Sequence, residues 1–204
     1  LREQCSKFIS LFKINSQEMI KGSYSDMTLE AGQEFKKIIF KQFQSFYGCI
    51  AKYFTEKKWN INHLLLDHAC YRVTTQEEYL NLKNKFSLIG ELLIESIVSG
   101  RPIATYKLYE PLQIGGREIS VIELPSPKPG NTYELGFEHV EFVIDEDFVT
   151  FSKRYKDVNF DWSAANKNIN AEIKVKLERN LSVKFHHEPL DVIIKKEKQL
   201  STNY

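Results

Sequence analysis

Apolar residues recur at steps of three and four between positions 30 and 58. Phe35, Ile38, Ile39, Phe43, Phe46, Tyr47, Ile50 and Phe54 fall on one stripe, and that spacing predicts an amphipathic helix. Asp26 or Thr28 stands where its cap belongs. A shorter stripe of Phe8, Ile9, Leu11 and Phe12 predicts an earlier helix over about residues 3–20, and Gly22-Ser23-Tyr24-Ser25 reads as the connection. Stripes at helical spacing normally cover a core, so residues 1–59 are expected as a helical segment packed on the rest of the chain.

From Leu64 the period shortens, and residues 64–73 read as a strand. Thr74-Thr75-Gln76-Glu77-Glu78 has the spacing of a capping box and opens a helix to about Leu88, which Gly90 ends. Strands at 92–98, 103–109 and 118–124 follow, with Gly115-Gly116 as the hairpin turn before the third. All six prolines lie from Pro102 onward, and three of them crowd Pro125-Ser126-Pro127-Lys128-Pro129-Gly130, which predicts a linker. The order then restarts. Residues 137–144 read as a strand, 146–156 as a helix capped by Asp145, and 171–177 and 181–187 as further strands, before a polar tail at 195–204 that is expected to fray.

Asp67-His68-Ala69-Cys70-Tyr71-Arg72-Val73 and Glu138-His139-Val140-Glu141-Phe142-Val143-Ile144 match position by position as acid, His, small apolar, variable, aromatic, variable, β-branched. This repeat predicts a domain over 60–204 made of two modules, 64–124 and 136–190, separated by a linker over 125–135. Alternation along strands then sorts the side chains. His68, Cys70 and Arg72 lie opposite the helix-facing Ala69, Tyr71 and Val73, and His139 and Glu141 lie opposite Val140, Phe142 and Ile144. Glu123 lies opposite Ile122 and Leu124, though the apolar Ile119 and Val121 share its face. Lys184 and His186 lie opposite Val183 and Phe185, while Asp67 and Glu138 are expected on the far face.

Two modules curled into one half-barrel would bring His68, Glu123, His139 and His186 together. Two or three imidazoles with a carboxylate suit a divalent first-row metal such as Zn, Fe, Mn or Ni, and fewer than six protein ligands leave room for water or substrate. Plainer readings stand beside this one: a strand histidine bonded to a neighbour, a salt-bridged Glu123, and at Cys70 a small buried hydrophobe in place of a ligand or nucleophile. Glu141 is either a general base beside the metal or the ion-pair partner of Arg72 or Lys184. Arg101, Tyr106 and Lys107 surround a Gly-Arg-Pro turn and are candidates to grip an anionic substrate, with Arg72 and Lys184 as further substrate contacts.

Charge narrows the partners. Lys and Arg number 28 against 27 Asp and Glu, which argues against nucleic-acid binding through a broad basic surface and against a polybasic membrane anchor. No apolar run is long enough to span a bilayer, and no signal peptide is expected. Cys5, Cys49 and Cys70 are widely spaced and make neither a disulfide framework nor a zinc-finger pattern, which predicts a reducing, cytoplasmic setting.

Five ordered stretches resemble the YecM family: Leu66-Asp67-His68-Ala69-Cys70-Tyr71-Arg72, Gly100-Arg101-Pro102-Ile103-Ala104-Thr105-Tyr106-Lys107-Leu108, Ile122-Glu123-Leu124-Pro125-Ser126-Pro127-Lys128-Pro129-Gly130, Gly136-Phe137-Glu138-His139-Val140-Glu141-Phe142 and Val183-Lys184-Phe185-His186. That family is similar in fold to the vicinal oxygen chelate superfamily of glyoxalase, bleomycin-resistance proteins, epimerases and extradiol dioxygenases. The resemblance implies an α+β fold of paired βαβββ modules forming a half-barrel, with a helical N-terminal extension outside the superfamily core. It implies metal ligands on the first and last strands of each module, here His68, Glu123, His139 and His186, the last replacing a carboxylate common in the superfamily. It brings a fold and a site, and no one reaction.

The expectation is therefore a metal-dependent enzyme of isomerase, lyase or oxygenase type. It would act on a small oxygenated substrate, with Glu123 or Glu141 moving a proton. The alternative is a non-catalytic small-molecule binding protein on the same fold. A homodimer through the Phe-rich N-terminal helices is a third expectation.

Overall fold

A computed structural model describes residues 24–201. The helix expected over 3–20, the start of its connection and the last three residues lie outside the described residues. Helix α1 (Tyr24–Glu56) contains Asp26 and Thr28, so neither stands at its start. The apolar stripe does what its spacing implies: Phe35, Ile39, Phe43, Phe46, Tyr47, Ile50 and Phe54 are buried, whereas Ile38 lies one step off the stripe and is only half-buried. Phe43 and Phe46 meet Phe137 of the sheet, and Phe54 meets Phe142 and Trp59. Among the described residues, no helix is long and apolar enough to cross a membrane.

The sheet is built from β1 (Leu65–Arg72), β2 (Gly90–Val98), β3 (Arg101–Ile114), β4 (Arg117–Pro125), β5 (Gly136–Val143), β6 (Phe160–Asp161), β7 (Glu172–Lys176) and β8 (Ser182–His186). Its order is β2-β3-β4-β1-β5-β8-β7-β6. Each half therefore runs outward from its first strand in the same sense: β1 pairs in parallel with β4, β5 pairs in parallel with β8, and β1 joins β5 antiparallel at the centre. These are paired βαβββ modules, each with its helix inserted after the first strand.

Helix α2 (Gln76–Phe86) starts at the expected capping box, with Thr75 and Glu78 bonded reciprocally. Gly90 does not end that helix. It opens β2, where an added Cβ would stand 2.7 Å from the Lys107 carbonyl oxygen, so the close approach of β3 is what demands glycine. Helix α3 (Phe148–Lys153) is capped by Asp147, two residues after the expected Asp145, because the Asp147 carboxylate is the one that accepts from the Thr150 N–H. Gly115 and Gly116 take positive φ in the β3–β4 hairpin, as a tight turn requires.

One face of the sheet carries the main core under α1, α2 and α3, with Phe185 packed among Phe142, Phe151, Phe160 and Trp59. The other face holds the polar residues and is partly covered by α4 (Leu190–Ser201). That helix replaces the expected fraying tail. Leu190 and Ile194, four residues apart, pack on Val121 with Leu93 and Ile94. The polar run beyond residue 195 conceals this anchor. Val121 thus shares the open face with Glu123, while Ile119 turns into the main core.

Candidate functional site

Strict alternation fails at two matching places. Between Leu66 and His68, and again between Cys70 and Tyr71, the β1–β5 register shifts by one residue. The extra residue is Asp67 on β1 in the first case and Glu138 on β5 in the second. A bulged residue escapes the alternation of its strand, so the acid and the histidine after it project on the same side. Asp67 and Glu138 were expected on the far face. Instead, Asp67 Oδ2 lies 2.7 Å from His68 Nδ1, and Glu138 Oε1 lies 3.1 Å from His139 Nδ1. Each imidazole is held from behind by a carboxylate, which leaves its Nε2 to face the cleft.

Both Nε2 atoms turn to one oxygen. Glu141 Oε1 is 3.3 Å from His68 Nε2, 3.3 Å from His139 Nε2 and 2.8 Å from Lys184 Nζ. Glu123 Oε2 stands 3.8 Å from His68 Nε2. His68, His139 and Glu141 are almost wholly buried, while the side chains of Glu123 and Lys184 beside them are 20% and 16% exposed. The register relates the modules: Cys70 pairs with Glu123 across β1–β4, and Glu141 pairs with Lys184 across β5–β8. With His68 equivalent to His139, Cys70 matches Glu141 and Glu123 matches Lys184.

Charge in this cluster is mutually fixed. Burial opposes ionisation of Glu141, but Lys184 and the two imidazoles hold its carboxyl well below the usual carboxylate range. Burial also opposes a charged Lys184, yet Glu141, Glu172 and Glu123 hold it above the usual lysine range. His68 is raised well above an ordinary histidine: burial works against its charge, and Glu141 and Asp67 more than offset that. Burial pushes the Cys70 thiol up, so Cys70 is a buried neutral thiol and not a ready nucleophile.

The remaining predicted residues scatter. His186 is fully buried, but it approaches Asp67 Oδ2 at 3.3 Å, on the Nδ1 side of His68 and away from Glu141. Asp67 also accepts the Leu190 N–H, tying this corner to the start of α4. Tyr106 is buried on the helix side, stacked on Phe86, with its hydroxyl donating to the Lys83 carbonyl, so it does not share the cleft. Lys107 pairs with Asp191. Of the two ion-pair partners weighed for Glu141, Lys184 is the one in contact, while Arg72 binds Glu138 through two hydrogen bonds. Arg101 lies near Arg72, beside Tyr133 and Ser126. A concavity of about 330 Å³ lies between residues 168–171 and α4 and shares no residue with this cluster.

The donors suit a divalent metal. One ligand atom each from His68, Glu123 and Glu141 lies within 4.8 Å of the others. Two ligands at about 2.0–2.2 Å from a zinc ion stand at most ~4.4 Å apart, so little contraction is needed. His139 Nε2 and Glu141 Oε2 are buried without a hydrogen-bond partner among the described residues. Such atoms are costly unless something accepts or ligates them. Asp67, Glu138, Glu172 and Tyr133 escaped the sequence reading. The acids before each histidine were visible, but only the bulges turn them inward.

A model of the family described as YecM protein matches residues 35–181. Protein YecM of Escherichia coli (strain K12) is 37% identical over 98 residues, covering 47% of this chain and 50% of that protein. The chain thus spans about half the length of this curated relative. The solved structure of Protein EC4020 superposes with a TM-score of 0.64 at 23% identity, covering 88% of this chain and 99% of that one. A Streptomyces coelicolor methylmalonyl-CoA epimerase, 12% identical, has a TM-score of 0.43 and covers 61% of this chain and 98% of that one.

Proposed function

The chain belongs to the YecM family, and from its buried histidine–carboxylate cluster we propose that it binds a divalent first-row metal and acts on a small oxygenated substrate. The observation that carries this reading is the pair of buried atoms without a hydrogen-bond partner among the described residues, His139 Nε2 and Glu141 Oε2, beside His68 Nε2 and Glu123. His68, His139, Glu123 and Glu141 would hold the ion. His186, turned to Asp67, is left out of the set.

When bound, such an ion polarises a carbonyl or hydroxyl oxygen. The chain's own groups divide the remaining work. Asp67 and Glu138 fix the tautomer and orientation of the two imidazoles by accepting hydrogen bonds from their Nδ1–H groups. Glu141 is kept ionised by Lys184, which makes it a poor proton acceptor. Glu123, 3.8 Å from His68 Nε2, is more exposed than Glu141, so it is the group to move a proton to or from the substrate. That division fits proton-transfer chemistry of isomerase or lyase type on a hydroxy or keto acid.

Metal analysis after chelation and reloading tests the reading. The wild type should take up about one Zn, Mn, Fe or Ni per chain, and a His68→Ala, His139→Ala double variant should lose it while keeping its circular dichroism. Equal loading of both proteins, or none of either, overturns it. Small-molecule binding indifferent to chelators would favour a non-catalytic binding protein on the same fold.

A further inference from the structure

A second polar cluster adjoins the first at the far end of β1. Arg72 donates from Nε and Nη2 to the two Glu138 oxygens at 2.7 and 2.8 Å. Arg101 donates from Nη1 to the Ser126 carbonyl at 3.2 Å and to the Tyr133 hydroxyl at 3.4 Å. Both guanidiniums lie over the Tyr133 ring, 5.2 and 5.7 Å from its centroid. Arg72 Nη1 and Arg101 Nε are buried and unpartnered among the described residues. Arg101 is held below the usual arginine range by burial and by Arg72 beside it. Two positive charges thus share one carboxylate, leaving one charge and two buried donors unmatched.

The position of this cluster matters as much as its charge. His139 joins it to the proposed metal cluster, with Nδ1 on Glu138 and Nε2 towards Glu141. Cys70 Sγ lies within 4.8 Å of ligand atoms of both Glu138 and His139. Two residues of strand separate Cys70 from Arg72, about 7 Å at ~3.3 Å per residue. A fork of N–H donors suits a carboxylate or phosphate, and a single unmatched charge favours the monoanion.

We propose that Arg72, Arg101 and Tyr133 bind a carboxylate of the substrate, so that the substrate is an oxygenated acid with a carboxylate a few bonds from the oxygens that react. The substrate assignment rests on the reading of the histidine–carboxylate cluster as the reacting centre, while the carboxylate site itself can be tested without it.

Calorimetric titration of the chelated full chain with hexanoate reads the site alone. Wild type should bind hexanoate, and Arg101→Met, which leaves the Arg72–Glu138 pair in place, should bind at least tenfold more weakly, with Arg101→Lys in between. No binding by wild type, or unchanged binding by Arg101→Met at retained circular dichroism, overturns the proposal. Tighter binding of hexylphosphonate than of hexanoate overturns the choice of a carboxylate. With metal loaded, 2-oxoadipate should bind at least tenfold more tightly than 2-oxohexanoate, which has a methyl group in place of the distal carboxylate. Metal uptake with equal affinity for the two would sink the carboxylate site and spare the metal reading. Hexanoate binding without metal uptake would do the reverse.

Discussion

The two modules place the same strands in the same order, and their central histidines occupy matching positions, yet the cleft residues they contribute differ in charge. The first supplies neutral Cys70 opposite a half-buried Glu123, and the second supplies Glu141 opposite the ammonium of Lys184. The bulged acids diverge as well. Asp67 of the first module takes His68, His186 and the start of α4, whereas Glu138 of the second takes His139 and Arg72. A common frame thus leaves each module free to specialise. The second neutralises its own buried charge and so serves as scaffold. The first keeps its carboxylate more exposed than Glu141, and that carboxylate is the one able to work.

Removing the cation from the second module should break this contrast most severely. Lys184→Met strands the buried Glu141 carboxylate and should cost about 3–5 kcal/mol in urea denaturation of the chelated protein. Glu123→Gln, at the matching position of the first module, should cost roughly 1 kcal/mol or less while reducing metal uptake. Equal losses of stability would show that the modules are not specialised in this way.

Helix α4 packs its buried Leu190 and Ile194 on the first module's part of the open face. Ile194→Ala should cost about 2 kcal/mol, at the low end for a buried large-to-small change because its cluster is small. Faster amide exchange should then appear in β2 and β4 and leave β7 and β8 unchanged. Protection lost evenly across both halves would contradict this packing.

Acid should reveal the Glu138–Arg72 pair. The Glu138 carboxyl is depressed from 4.5 to about 2: burial opposes the charge, but His139 and Arg72 outweigh it. A depressed carboxyl contributes stability that is present above its unfolded pKa and lost as pH falls through the folded value. Between pH 5 and pH 3 the wild type should therefore lose about 1–2 kcal/mol more than Glu138→Gln, with partial exposure trimming the effect. Parallel pH profiles for the two proteins would remove the pair from the account.

Much of the fold was legible along the chain because its signals are local. The α1 stripe, the capping box at Thr75, the glycine pair at 115–116 and the proline-rich connection each report on a few neighbouring residues. The misplaced details share one cause. Gly90, Asp145 and the tail beyond residue 195 looked like helix punctuation, and their surroundings depend on Lys107, Thr150 and Val121, which lie elsewhere in the chain or in a competing turn. In the cleft, period-two alternation was enough to put His68, His139, Glu123, Glu141 and Lys184 on one face, and it failed for Asp67 and Glu138 at the bulges.

Hydrophobic periodicity and the paired acid–His strands, then, were sufficient for the class of fold, the order of its elements other than β6 and α4, and the identity of the two central histidines. Only the folded chain decided which oxygen the imidazoles share, that Lys184 and not His186 stands opposite Glu141, and that Arg101 comes to lie beside Arg72 over Tyr133. Alternation along a strand tells which side a residue faces. Register between strands, and the single-residue slips that bulges introduce, decide what it meets there, and those are set by pairing between segments distant in sequence.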